Sequence, residues 1–378
     1  MTRLILIIIL FLISLLAVFK AFEYHIWLLA IGVTEFPWLF SSITFVILLT
    51  GFWVNKYQMP GTVIGIIALI LFISPIFRAY ILAGNVRGEF DKAFNVSNTD
   101  SITPPFTITK LFAKNVVVPY RVIDYVKYPD TTMKLDFYPS QMIGKRPCVI
   151  VVHGGSWAGG DSQQLPELNS YMAAKGYNVA SINYRMAPKW QTPAPVEDIA
   201  NAIKYLTVHA DELHIDPTQF VLLGRSAGAQ IALLAAYTLH NQQLKGVIDF
   251  YGPADMVWGY SIPSNPLIMD SRKVMDDYVG GSYSKVPMKY YECSPLNFVS
   301  KESMPTLIIH GTNDVLVSPE HSHRLNGALN NNGIKHYWLQ IPWATHGFDF
   351  NLNGPGGQIS TYTVMQFLKT VSSSPPTP

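Results

Sequence analysis

Hydrophobic and polar positions follow two different rhythms along this chain. Through residue 82 apolar side chains run almost unbroken, over Leu4–Phe19, Pro37–Val54 and Thr62–Phe77, the last reaching Leu82 if Arg78 snorkels. Each run is about 16–20 residues, about 24–30 Å as helix, which is close to the hydrocarbon thickness of a bilayer. Three such runs in succession predict three transmembrane helices within residues 1–84. Trp27, Trp38, Trp53 and Tyr57 fall near their ends, where interfacial aromatics belong. His25–Val33 is also apolar, and a separate span there would invert the topology. Residues 85–110, with the polar stretch Asn85–Pro105, read as a linker.

After the linker, short apolar runs alternate with amphipathic ones. Strands are predicted at Val122–Tyr128, Lys134–Tyr138, Pro147–Val152, Asn178–Tyr184, Phe220–Leu223, Gly246–Tyr251, Thr306–His310 and His336–Ile341. Helices are predicted at Leu165–Lys175, Pro195–His209, after Ser226, at Ser318–Asn331 and at Gln358–Leu368. Strand alternating with helix implies right-handed crossovers and a mostly parallel sheet covered on both faces, an α/β domain over residues 111–371. Residues 372–378, rich in Ser and Pro, form a disordered tail.

Composition sharpens this picture at three points. Charged residues make up 14% of the chain, against about 25% in soluble proteins, because the first 82 residues hold so few. Net charge is +2 with no basic run, so nothing points to nucleic acid. Cys148 and Cys293 make neither a disulfide framework nor a metal site, and Cys148 reads as a buried small hydrophobe inside a strand. Arg3 and Lys56 fall on one side of the spans, and Lys20, Arg78, Arg87 and Lys92 on the other, which favours a cytoplasmic catalytic domain.

Ligands of such a sheet bind beyond the carboxyl ends of its strands, and the reactive residues gather there. His153-Gly154-Gly155 follows the third strand, Gly224-Arg225-Ser226-Ala227-Gly228 the fifth, Gly311-Thr312-Asn313-Asp314 the seventh and His346-Gly347-Phe348 the eighth. The G-x-S-x-G lies between a strand-like and a helix-like run, the context in which the serine stands exposed on a sharp turn at a helix N-terminus. With Asn183-Tyr184-Arg185-Met186-Ala187-Pro188, these motifs resemble the α/β-hydrolase-fold serine esterases over about two-thirds of the chain. The similarity extends to the acetyl-esterase, hormone-sensitive-lipase-like and prenylcysteine-methylesterase-like carboxylesterases.

The resemblance implies roles. Ser226 is the nucleophile and His346 its base, chosen from ten histidines because it follows the last strand in a glycine-containing loop and matches the motif. Asp314 orients His346, giving the chain order Ser, Asp, His. Glu320 is its rival, early in a helix. His310 reads as structural, and His321 and His323 as helix-surface residues. Backbone N–H groups of Gly154, Gly155 and Ala227 form the oxyanion hole, with His153 bracing that loop. Residues 255–299, rich in aromatics, form a lid or pocket wall, or an insertion that merely packs on the sheet. The expected protein is a multi-pass, membrane-anchored serine carboxylic-ester hydrolase that forms an acyl-enzyme on Ser226. It would act on a small-molecule or lipid ester, contact membrane lipid, and need no metal or cofactor. A peptidase or acyltransferase on the same triad, or a non-catalytic membrane binding protein on this scaffold, are the alternatives. Because the first 82 residues hold no triad member, a chain beginning near Ser97 is expected to fold and cleave soluble esters alone.

Overall fold

A computed structural model of the protein describes residues 1–54, 56–96 and 103–372. Four helices come first: α1 (Thr2–Ser14), α2 (Tyr24–Glu35), α3 (Pro37–Leu49) and α4 (Gln58–Phe94). The expected three spans are not borne out as three long helices. Among the described residues α4 alone is long and apolar enough to cross a membrane. The α2–α3 pair qualifies only as a unit bent by 86°, and α1 with its following turn, Thr2–Ala17, is shorter than a span. The bend has a local cause. Pro37 disfavours helical backbone at the residue before it, and Phe36 sits at φ −124°, ψ 46°. Arg3 and Arg78, used in the charge count, are both engaged inside the helical region. Arg3 donates to Thr62 Oγ1 at 3.1 Å, and Arg78 to the Ala17 carbonyl.

The rest is one eight-stranded sheet in the order β1-β2-β4-β3-β5-β6-β7-β8. Its strands are β1 (Arg121–Tyr128), β2 (Thr131–Tyr138), β3 (Arg146–Val152), β4 (Asn178–Ile182), β5 (Ile215–Arg225), β6 (Leu244–Phe250), β7 (Thr306–Gly311) and β8 (His336–Ile341). The β1–β2 and β2–β4 pairs are antiparallel; all others are parallel. The interleaved helices are α5 (Pro166–Ala174), α6 (Ala194–Val208), α7 (Ala227–Thr238), α8 (Met256–Ser261), α9 (Ser271–Val279), α10 (Pro287–Glu292), α11 (Glu320–Asn331) and α12 (Pro355–Val371).

The strand β3 is buried along its whole length, and its side chains divide between two cores. Cys148, Ile150 and Val152 join one with α6 and α7. Val149 and Val151 join the other with α5, α12 and the C-terminal part of α4. That is the period-two alternation of a strand covered on both faces. Both cysteines are free and buried.

The helix α4 overturns part of the expected linker. Residues 85–94 continue the helix, and its last two turns lie on the sheet domain. Phe90 and Phe94 are buried, with their rings against Tyr337 and Phe367. Glu89 accepts a hydrogen bond from the Tyr337 hydroxyl at 2.8 Å. The central part of the expected linker and all of the expected tail except Ser372 lie outside the described residues.

Candidate active site

The site begins with a steric necessity at the end of β5. A Cβ on Gly224 would meet the Gly228 carbonyl oxygen at 2.3 Å, and one on Gly228 would meet Val152 O at 2.2 Å. Only glycine lets strand and helix approach so closely. The residue between them, Ser226, takes φ 52°, ψ −120°, a conformation that L-residues rarely adopt. The turn lifts its hydroxyl above the sheet at the start of α7.

The structure brings Ser226, His346 and Asp314 together from three chain segments. The Ser226 hydroxyl lies 2.9 Å from His346 Nε2, and His346 Nδ1 lies 2.7 Å from Asp314 Oδ2. With Nδ1–H donated to Asp314, the imidazole presents the Nε2 lone pair to the Ser226 O–H. The Asp314 carboxylate has full hydrogen-bonding company. Its Oδ1 accepts from the Leu316 and Val317 N–H groups, each at 2.9 Å, and its Oδ2 also lies 3.2 Å from His310 Nε2. Burial opposes its charge, but His346 and His310 outweigh burial and hold its carboxyl well below the usual range. Glu320 is elsewhere, at the start of α11, and pairs with Arg324 at 3.2 Å.

The glycine turn after β3 faces Ser226. Gly155 has φ 116°, and a Cβ there would lie 2.1 Å from the Gly159 carbonyl oxygen. Among the described residues the Gly155 and Ala227 N–H groups have no hydrogen-bond acceptor, as an oxyanion site requires. The Gly154 N–H does have one: it donates to Gln164 Oε1 at 2.6 Å, so it is free for a substrate only if Gln164 moves. The His153 Nδ1 lies 2.7 Å from Gly154 O, and its ring stacks on Tyr184, which braces the turn.

Other features had no sequence signal. Asp349, next to the His346-Gly-Phe motif, is buried with Arg225, whose Nε donates to it at 2.6 Å; the Tyr251 hydroxyl also donates to it. The Tyr251 ring packs 4.4 Å from the His346 ring, so this buried network backs the imidazole. His321 was expected on a helix surface and is instead buried. It accepts the Asp255 N–H at 3.2 Å and packs edge-on against Trp258, because residues 255–299 fold over that face of α11. His323 is exposed, as expected. The N-terminal region also reaches the site. Trp27 Nε1 donates to the His346 carbonyl at 3.0 Å.

Comparison with known proteins agrees with this architecture. The BD-FAE family model matches residues 135–329, just over half of the chain. Esterase LipC of Mycobacterium tuberculosis is 28% identical over 246 residues, which are 60% of this chain and 59% of that protein. The probable carboxylic ester hydrolase LipM of the same organism is 25% identical over 243 residues, 61% of this chain and 56% of that one. The chain thus spans somewhat over half the length of these curated relatives. Two solved structures share the fold. An acetyl ester-xyloside bifunctional hydrolase from Caldicellulosiruptor lactoaceticus has a TM-score of 0.57 at 19% identity, covering 68% of this chain and 98% of its own. A propionate-bound esterase from Thermogutta terrifontis has a TM-score of 0.56 at 21% identity, covering 68% and 97%. With that family match over more than half of its length and a sheet of this order, the chain belongs to the BD-FAE family of α/β-hydrolase-fold proteins.

Proposed function

We propose that the chain is a serine carboxylesterase held at a membrane by α4. The observation that carries the reading is the pair of short contacts joining Ser226 Oγ, His346 and Asp314. In this reading the Ser226 oxygen attacks the ester carbonyl while its proton passes to His346 Nε2. Asp314 stabilises the imidazolium, and the Gly155 and Ala227 N–H groups hold the oxyanion. The C–O bond breaks, and the alcohol leaves with the proton from His346. Water, deprotonated by His346, then attacks the acyl-enzyme; the acid departs and Ser226 regains its proton. The names of the curated relatives support ester substrates. The apolar surface of α4 up to Ile81, where Ile66, Ile70 and Phe77 are exposed, supports the anchor.

The test is the full-length chain in detergent with a short soluble ester and a fluorophosphonate probe. Ser226→Ala, Asp314→Asn and His346→Ala are each expected to lower turnover by about 10³-fold or more, with Ser226→Ala also abolishing labelling. The double variant Ser226→Ala/His346→Ala is expected to be little worse than Ser226→Ala, because the residues act as a unit. Near-normal turnover in folded His346→Ala would refute the assignment.

A further inference from the structure

A cavity of about 310 Å³ lies against the loop that carries Asp314 and reaches Trp157, next to the glycine turn that faces Ser226. One wall holds Trp157, which follows the Gly154–Ser156 turn, and Met269, whose sulfur receives the Ser156 hydroxyl at 3.4 Å. Asp314 and Leu316 form another side. Residues 259–275 supply most of the lining, and Lys20 and Ala21, in the connection between α1 and α2, add a patch from the opposite end of the sequence.

That connection is pinned to the site's own surroundings. Asn313, the neighbour of Asp314, donates through Nδ2 to Val18 O at 3.4 Å. Asn265 Nδ2 donates to Phe22 O at 2.9 Å, and the Tyr24 N–H to Leu267 O at 3.2 Å. The indole of Trp27, one turn into α2, holds the carbonyl of His346. Four bonds to three loops around the triad hold one short segment in place. Within it Ala21 is only 6% exposed and faces the cavity, while Phe19 and Phe22 beside it stand open to the outside.

We infer that residues 18–22 are the acyl-chain wall of the active site, with Ala21 setting the length of chain accepted. The ligand class is esters with an extended alkyl acyl chain, for which a cavity of about 310 Å³ has room. The small Ala21 side chain leaves room that Trp157, Met269 and Leu316 line with apolar atoms, and each further methylene buried there favours the longer bound chain. The inference rests on reading Ser226 as the nucleophile.

The test is Ala21→Cys in the full-length chain. The native thiols, Cys148 and Cys293, are fully buried, so the introduced thiol is the reactive one. Labelling after folding with a small alkyl methanethiosulfonate fills the cavity without disturbing assembly. The control is Ile143→Cys, 97% exposed, just before the start of β3 and so at the opposite end of the sheet from the site. Labelling the Ala21→Cys protein is expected to cut hydrolysis of p-nitrophenyl decanoate at least tenfold and to leave the acetate ester within twofold. The labelled control should keep the full acyl-length profile. In a second arm, free decanoate is expected to slow labelling of the introduced thiol several-fold where acetate does not. This arm also runs in a Ser226→Ala background. It needs no turnover, so it separates a wrong wall from a wrong nucleophile. An unchanged acyl-length profile after complete labelling, an equal fall on both esters, or labelling indifferent to decanoate would each overturn the inference.

Discussion

Asp249 lies wholly inside the molecule on β6. Its Oδ1 accepts the Gly252 N–H at 2.7 Å, while its Oδ2 has no partner among the described residues. Burial, only partly offset by His310 and the Gly252 N–H, pushes its carboxyl up to about 7. The native chain therefore keeps this proton at pH values where the unfolded chain has released it. Stability from this group is full below the unfolded value of 3.8 and is lost as pH rises toward 7. The isosteric Asp249→Asn removes the titration and keeps the acceptor. Between pH ~4 and ~7, wild-type stability is expected to fall relative to Asp249→Asn with a slope approaching 1.4 kcal/mol per pH unit, about one proton's worth. Urea midpoints across that range check it; parallel curves would count against it. The same scale shows what sequence conveys about residues. Ser226, His346 and Asp314 were legible because turn chemistry and strand ends mark them. His321 was misplaced because helical periodicity does not say what folds over a helix. Asp249 looked like any strand residue.

At the scale of elements, all eight strands were visible as apolar runs, and their ends moved by a few residues. The error lay in α2, which reads as an apolar stretch and is a docking element. Its last residue, Glu35, is fully buried and accepts the Gly356 N–H at 2.9 Å at the start of α12. Near its start, Trp27 holds the His346 loop, where Gly347 has φ 76° and Ile31 packs close by. Trp27→Phe keeps a ring in place and removes the donor. It is expected to lower kcat several-fold for short and long esters alike, with KM changed less than twofold, because the imidazole is aimed less well while the pocket keeps its shape. Stability should drop by about 1 kcal/mol, the usual net value of such a hydrogen bond. Steady-state kinetics with thermal melts test this; a KM change at constant kcat would refute the positioning role.

For the whole molecule, the contacts between the two halves argue against the expected separability. Removing residues 1–96 would strip Phe90 and Phe94 from the sheet and uncover Tyr337 and Phe367, and it would delete the Ala21 wall, Trp27 and Glu35. Losing two buried phenylalanines costs on the order of 3–6 kcal/mol, a large part of the roughly 5–15 kcal/mol that holds a domain together. The shortened chain is expected to aggregate, or to lose activity equally on soluble and vesicle-borne esters. A monomeric form with full-length turnover of a soluble ester would show the halves to be independent after all.

The α/β class and the strand count could be read from the sequence alone, and so could the three residues proposed for the proton path. Those features depend on local periodicity, turn residues and chain order, which are written in neighbouring positions. That α4 divides its length between an exposed apolar surface and the sheet became visible only in the folded chain. The fold also pairs the Gly154 N–H with Gln164 and bonds residues 18–27 to the loops that carry Asp314 and His346. Such contacts join positions about 300 residues apart, as Trp27 and His346 are. An apolar run has the same pattern whether it faces lipid or a protein surface, since both remove it from water in the same way.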